Sequence, residues 1–213
     1  MPPDTASTEP VLTQGRPPRG YAKGRAKRQQ IVEVAMEVFG ESGYDASSMM
    51  EIAERCGLSR AGLWHHFPSK ESILEAVLAW RDQVDHESFR ARGSSQGGLA
   101  VLRGMVELAR DNAKVPRLIG LYAILSAEAA SPGHPAHTYF QARYQRIVEG
   151  TEKALAQIGA SGGLAPGVDP HEAAVNLVAL TDGLQVQWLL SGGVLDMAGH
   201  LRSAAQAILT VDF

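Results

Sequence analysis

Apolar residues recur along the chain at helical spacing. Ile31, Val34, Ala35, Val38 and Phe39 fall at i, i+3, i+4, i+7 and i+8, which predicts an amphipathic helix 1 from about Arg25 to Ser42. Gly43 is placed as its left-handed stop, with Tyr44 folding back on the last turn. Ser48 and Glu51 read as a capping box opening helix 2, whose Ile52 and Ala53 face inward until Gly57 ends it. Ser59 is the N-cap of a very short helix 3, over by Phe67 because Pro68 disfavours helix at the residue before it. Helix 4 starts at Ser69, with a stripe of Ile73, Val77, Trp80 and Val84. A loop is expected from Arg90 to Gly98. Five further helices follow over roughly 98–113, 116–130, 136–158, 169–191 and 195–209. Pro116 and Pro170 sit at first-turn positions, and Asp169 is an N-cap. No stretch of any length shows strand alternation. The fold class is all-α, with about nine helices.

The stretch SSMMEIAERCGLSRAGLWHHFPSKESI, residues 47–73, holds two capped short helices joined by a turn at Gly57. This is a helix-turn-helix, and its geometry lets the second helix project from the body into a major groove. Ser48 would meet a backbone phosphate at the start of helix 2. Arg60, at the start of helix 3, would reach a guanine edge or a phosphate. Trp64, His65 and Lys70 are further candidate donors to phosphate. A bare pair of capped helices is more often structural than functional.

Charge sharpens this picture. The chain has 213 residues and a net charge of −3. Residues 1–70 carry nine Lys/Arg and eight Asp/Glu, whereas residues 71–213 carry eleven and fifteen. Six basic residues and no acidic ones lie between Arg16 and Arg28. A local basic stripe on an acidic body fits contact with a polyanion at one end only. Residues 1–20, rich in Pro, Gly, Ser and Thr, are expected to be a disordered basic tail. The single cysteine, Cys56, excludes an internal disulfide and fits a reducing, cytoplasmic location. There is no secretory signal, and the longest apolar run, residues 118–125, is too short for a bilayer, so no membrane role is expected.

The residues IVEVAMEVFGESGYDASSMMEIAERCGLSRAGLWHHFPSKESIL, within a stretch from about Gly24 to Val84, resemble the N-terminal domain of the TetR/AcrR family of bacterial transcription regulators. The positions that carry the resemblance are Phe39, Gly43, Tyr44, Ser48, Ile52, Ala53, Gly57, Ser59, Leu63, Trp64, His65, Phe67, Ser69, Lys70 and Glu71. Trp64 replaces the usual Tyr, Gly62 a frequent Ser or Thr, Ala61 a common Gly, and Cys56 the usual Ala. The resemblance implies a two-fold dimer in which a helix-turn-helix domain (residues 21–70) sits on a larger ligand-sensing and dimerising bundle (71–213), with helix 4 as connector. It implies that Ser48, Arg60, Ala61, Gly62, Trp64, His65 and Lys70 face double-stranded DNA. Ala61 would meet a thymine methyl, and Lys27 and Arg28, with Lys23 and Arg25, would track the backbone or the minor groove.

Several bundle helices contribute to a candidate pocket of Trp80, Met105, Leu118, Tyr122, Leu125, Phe140, Tyr144, Leu177, Leu184 and Trp188, with Asn176, Gln185 and Gln187 as polar groups. Taken one at a time, each apolar residue in that set is more often core. The small residues Ala173, Ala174, Gly183, Ala204 and Ala205 on the last two helices are the expected dimer interface. Cys56 reads as packing filler rather than a redox sensor. His134 and His137 with Glu128 form too small a set for a metal site. No catalytic triad or phosphate loop is present, and no cofactor is expected. The functional expectation is a ligand-responsive repressor that binds a palindromic operator as a homodimer and is released by a small molecule. Two alternatives stay open: a helical dimer scaffold without DNA, and a DNA-binding repressor without a ligand.

Overall fold

The computed structural model describes residues 19–91 and 97–213. Nine helices follow one another among them: α1 (Arg19–Ala46), α2 (Met49–Arg55), α3 (Arg60–His66), α4 (Lys70–Ala91), α5 (Leu99–Asn112), α6 (Pro116–Glu128), α7 (His137–Ala160), α8 (Pro170–Leu190) and α9 (Met197–Ala207). Almost all of the expected tail over residues 1–20, and residues 92–96 of the expected loop, lie outside the described residues. α1 starts at Arg19, earlier than the apolar period suggests, and runs through Gly20 and Gly24 although glycine is a poor helix former; Ala22, Lys23, Arg25 and Ala26 around them favour helix. The end of α4 continues through Arg90 and Ala91, where a loop was expected, since no glycine or proline interrupts the helix over these residues.

The helical run of α1 is broken at Gly43, which has φ 81° and ψ 174°. Only glycine takes this conformation without strain, and a Cβ there would also overlap the Glu128 carboxylate. Tyr44 then turns back, buried, with its ring 5.7 Å from that of Phe39.

Two cores hold the chain. The first joins Ile31, Phe39, Ile52, Leu63, Phe67, Ile73 and Val77 to Leu121 and Leu125 of α6 and Phe140 of α7. The second joins Leu102, Val106, Leu155, Ala174, Leu177, Trp188, Leu201 and Ile119, also from α6. α6 is therefore shared between the two. It crosses α1 at backbone distance: a Cβ on Gly40 would lie 2.7 Å from the Arg117 carbonyl oxygen, and one on Gly120 would lie 2.9 Å from that of Gly40. The Arg117–Glu37 ion pair closes one end of this crossing. At the other, Glu128 Oε2 accepts the Tyr44 N–H at 2.7 Å and Oε1 the Asp45 N–H at 3.4 Å.

Candidate nucleic-acid interface

Two serines fix where the short helices begin. Ser48 Oγ accepts the Glu51 N–H, and Ser59 Oγ the Gly62 N–H, each at 3.1 Å. Each hydroxyl satisfies one orphan donor of its own helix. The return arm of the expected capping box is not made. The Glu51 carboxylate binds Arg55 at 2.9 Å instead, and Arg55 also reaches Glu41 at 2.8 Å. At α4 the reciprocal pattern does form, between Ser69 and Ser72.

α3 divides cleanly into two faces. Leu63 is buried, and Phe67 just beyond the helix is fully buried; both anchor α3 to the first core. Arg60, Ala61 and His65 are exposed, and Gly62 and Trp64 are half-buried beside them. The Arg60 guanidinium carbon lies 3.9 Å from the centre of the Trp64 ring. Ser48 is exposed, and next to it Met50 is 66% exposed, a position the sequence reading missed because a methionine looks like core.

The other basic residues expected on DNA are engaged within the protein. Lys27 Nζ donates to the Cys56 carbonyl at 2.9 Å, past the end of α2. Arg28 donates to the His66 carbonyl at 2.7 Å and stacks on Phe67, at the end of α3. Lys70 Nζ donates to the carbonyls of Tyr44 and Ser47 at 2.8 and 3.0 Å and sits over the Tyr44 ring. These cations meet carbonyls at helix ends, where positive charge is favoured. Cys56 is buried in the first core, and burial pushes its thiol up.

The residues expected to line the pocket are split between the two cores. Tyr122, Leu125, Phe140, Tyr144 and Trp80 belong to the first, or pack against it. Met105, Leu177, Leu184 and Trp188 belong to the second, or pack against it. Leu118 is buried. Beside Trp80 and Tyr122, the sequence reading missed a polar cluster. Asp82 accepts from the Tyr139 hydroxyl at 2.7 Å and from Arg143 at 3.1 Å, and Arg143 lies 4.6 Å from the centre of the Tyr122 ring. Burial and the neighbouring Asp182 carboxylate push the Tyr144 phenol up to about 12. Burial also raises the Asp182 carboxyl above its usual range. No periodic signal marks this cluster, whose members come from α4, α6, α7 and α8. A cavity of about 10 Å³, room for one water, lies beside Leu184 and Gln185. A more open groove of about 290 Å³ holds Asp169, Glu172, Asn176 and Ile208.

The small residues expected at a dimer interface are mostly used inside the subunit. Ala173, Ala174 and Ala205 are buried in the second core, and Ala204 packs against it. Gly183 is exposed. The outward stripe of α8 is Val175, Ala179, Gly183, Val186 and Leu190, with Leu190 84% exposed. The His134 side chain is buried, with Nε2 at 3.9 Å from Glu128, while His137 Nδ1 is 2.7 Å from the Ala129 carbonyl. Among the described residues, no three His, Cys, Asp or Glu side chains gather as a metal site would need. No helix of the described residues is long and apolar enough to cross a membrane.

Comparison with known proteins accords with this architecture. Residues 31–77 match the family model for bacterial regulatory proteins of the tetR family, and residues 122–210 match that for the C-terminal region of BetI-type transcriptional repressors. The chain belongs to the TetR family of bacterial regulators. It is 25% identical over 181 residues to the A-factor receptor protein of Streptomyces griseus, covering 85% of this chain and 62% of the relative. It is 32% identical over 81 residues to the HTH-type transcriptional repressor Rv1474c of Mycobacterium tuberculosis, covering 38% of this chain and 41% of the relative. The chain thus spans less than two thirds of the length of these curated relatives. A solved structure described as the molecular basis for control of antibiotic production by a bacterial hormone superposes with a TM-score of 0.67 at 26% identity, covering 87% of this chain and 98% of that one.

Proposed function

We propose that this protein is a ligand-responsive transcriptional repressor that binds a palindromic operator as a homodimer and is released by a small molecule held in the C-terminal bundle. The observation that carries the reading is the division of α3, anchored by Leu63 and Phe67 and presenting Arg60, Ala61, Trp64 and His65 outward. A two-fold dimer sets two such helices about 34 Å apart, in successive major grooves. Residues 21–70 act as the DNA-binding domain and residues 71–213 as the sensing and dimerising bundle. DNA contact falls to Arg60, Ala61, Gly62, Trp64 and His65, with Ser48 at the phosphate. Lys27, Arg28 and Lys70 hold that surface in shape from behind. The protein acts in the cytoplasm as a regulator rather than as an enzyme.

The likeness to a relative named as a receptor, and to a structure described in terms of a bacterial hormone, supports a small-molecule input. The effector would enter between α4, α6, α7 and α8, where Trp80, Tyr122, Phe140 and Tyr144 offer aromatic faces and Asp82, Arg143 and Asp182 offer polar groups. It shifts the equilibrium between DNA-competent and incompetent dimers only by its difference in affinity for the two. The test is transcription in vitro from the promoter upstream of the protein's own gene. Added protein is expected to lower transcript. A compound from a thermal-shift screen that raises the melting temperature is expected to restore it. Unchanged transcript at saturating protein contradicts the repressor reading. A bound compound that restores nothing contradicts the coupling.

A further inference from the structure

The cations of the helix-turn-helix are unevenly occupied. Lys27, Arg28 and Lys70 each donate to backbone carbonyls, and Arg55 is held between Glu41 and Glu51. Arg60 differs from all four. Among the described residues it makes no ion pair or hydrogen bond to protein, and its contact is the face of the Trp64 ring at 3.9 Å. Arg60 and Trp64 are the first and fifth residues of α3, one turn apart, so their side chains are neighbours on one helix face. Trp64 is half-buried while Arg60 is exposed, so the ring forms a platform and the guanidinium lies on it.

A stacked guanidinium has one face covered. Its remaining donors lie in its plane and point along its edge, in a fork of fixed geometry. That fork suits an acceptor with two coplanar atoms at matching separation. In a major groove this is guanine, through O6 and N7. Arg60 lies at the N-terminal end of α3, and the N-terminal residues of a recognition helix are those that contact base edges. Cations that reach phosphate from a flexible stem need no such platform. The stack also removes rotamer freedom before DNA arrives, so less remains to be lost on binding.

We propose that Arg60 reads a guanine base in each half of the operator, and that Trp64 is the positioning residue that fixes the plane in which it reads. The proposal rests on the DNA-binding reading above and adds to it the base that is recognised. A phosphate contact by Arg60 would position the protein without carrying sequence information.

The experiment is selection of duplexes from a randomised library by the full-length protein, with Arg60→Lys, Trp64→Leu and Trp64→Tyr run in parallel. Thermal melting of each variant checks its folding. Wild type is expected to enrich a two-fold symmetric motif with an invariant guanine in each half. Arg60→Lys keeps a charge but not the fork. It should lose discrimination at that guanine by roughly 5- to 150-fold and leave the other positions of the motif unchanged. Trp64→Leu, which also removes a DNA contact of its own, should weaken binding to every sequence but blur the motif at that guanine alone, and Trp64→Tyr, which keeps an aromatic face, should restore the discrimination there. A motif without a guanine overturns the proposal, as does an Arg60→Lys variant that weakens every sequence equally. In those cases the DNA-binding reading survives. A folded wild-type protein that enriches no sequence at all overturns both.

Discussion

Lys27 and Arg28 lie next to each other in the chain, yet they serve different helices. Lys27 caps the carbonyl of Cys56 beyond α2, and Arg28 caps that of His66 at the end of α3. Replacing Lys27 by Met strands a half-buried carbonyl, and chemical denaturation should show a loss of about 1–2 kcal/mol. Arg28→Ala, at an exposed site, should cost about 1 kcal/mol or less. Arg60→Ala should leave stability within about 0.5 kcal/mol of wild type while abolishing operator binding. Equal losses of binding and stability at all three positions would contradict this division. Asp182 makes a prediction with a pH dependence. Burial raises its carboxyl above the usual range, so the folded state favours the protonated acid. Its contribution therefore worsens as pH rises from the ordinary Asp range through the raised folded value. Asp182→Asn should melt higher at neutral pH and lose less stability than wild type across that interval; a lower neutral-pH melting temperature would contradict it. The sequence made the residue types at the helix-turn-helix legible but not their acceptors. The carbonyls that take Lys27 and Arg28 lie 29 and 38 residues away, and backbone acceptors leave no mark in side-chain identity.

At the level of elements, α6 is fastened to α1 at three places: Glu37–Arg117, the Gly40–Gly120 crossing, and Glu128 on the Tyr44 and Asp45 N–H groups. The last of these joins the bundle directly to the corner from which α2 departs. Movement of α6 therefore bears on the helix-turn-helix without passing through α4. Glu128→Ala should expose the Tyr44 and Asp45 amides to faster hydrogen exchange and cost about 1–3 kcal/mol. Protection unchanged at those two amides would show that the carboxylate is not the latch. Gly40→Ala puts a Cβ against backbone, which cannot rotate away, and should cost about 1–3 kcal/mol by forcing the helices apart. The helices themselves were readable, because the apolar period and the caps at Ser48, Ser59 and Asp169 are local signals. The α1–α6 docking was not. A glycine inside a helix reads as a propensity cost, and nothing local says that another backbone passes beside it.

For the whole molecule, the exposed stripe of α8 is the natural seat of the proposed two-fold contact. Gly183 sits in its middle, and a Cβ there would meet nothing within 4 Å in the subunit. The subunit therefore gains nothing from this glycine, which costs a helix about 1 kcal/mol relative to alanine. Gly183→Ala should stabilise the isolated subunit by up to about that amount and weaken self-association, as sedimentation at graded concentration would show. An unchanged dimer constant would move the interface elsewhere. The sequence pointed to α8 and α9 and named Gly183 of this stripe, but of the other small residues it named, Ala173, Ala174 and Ala205 lie in the subunit's own core and Ala204 packs against it. The polar residues of α8, among them Glu172, Asn176, Asp182 and Gln187, are scattered around the helix, so periodicity alone does not separate the stripe that faces inward from the one that faces outward. The central claim is that the assembled molecule grips duplex DNA through α3. It is tested most directly by titrating the purified protein against the DNA upstream of its own gene over a range of salt concentrations, beside Arg60→Ala. The account predicts tight binding by wild type that weakens linearly in log–log terms as salt rises, and that is lost in the folded variant. A folded, dimeric wild-type protein with no salt-dependent affinity for that DNA or for genomic fragments would contradict it, and would favour a helical scaffold that binds a partner other than DNA.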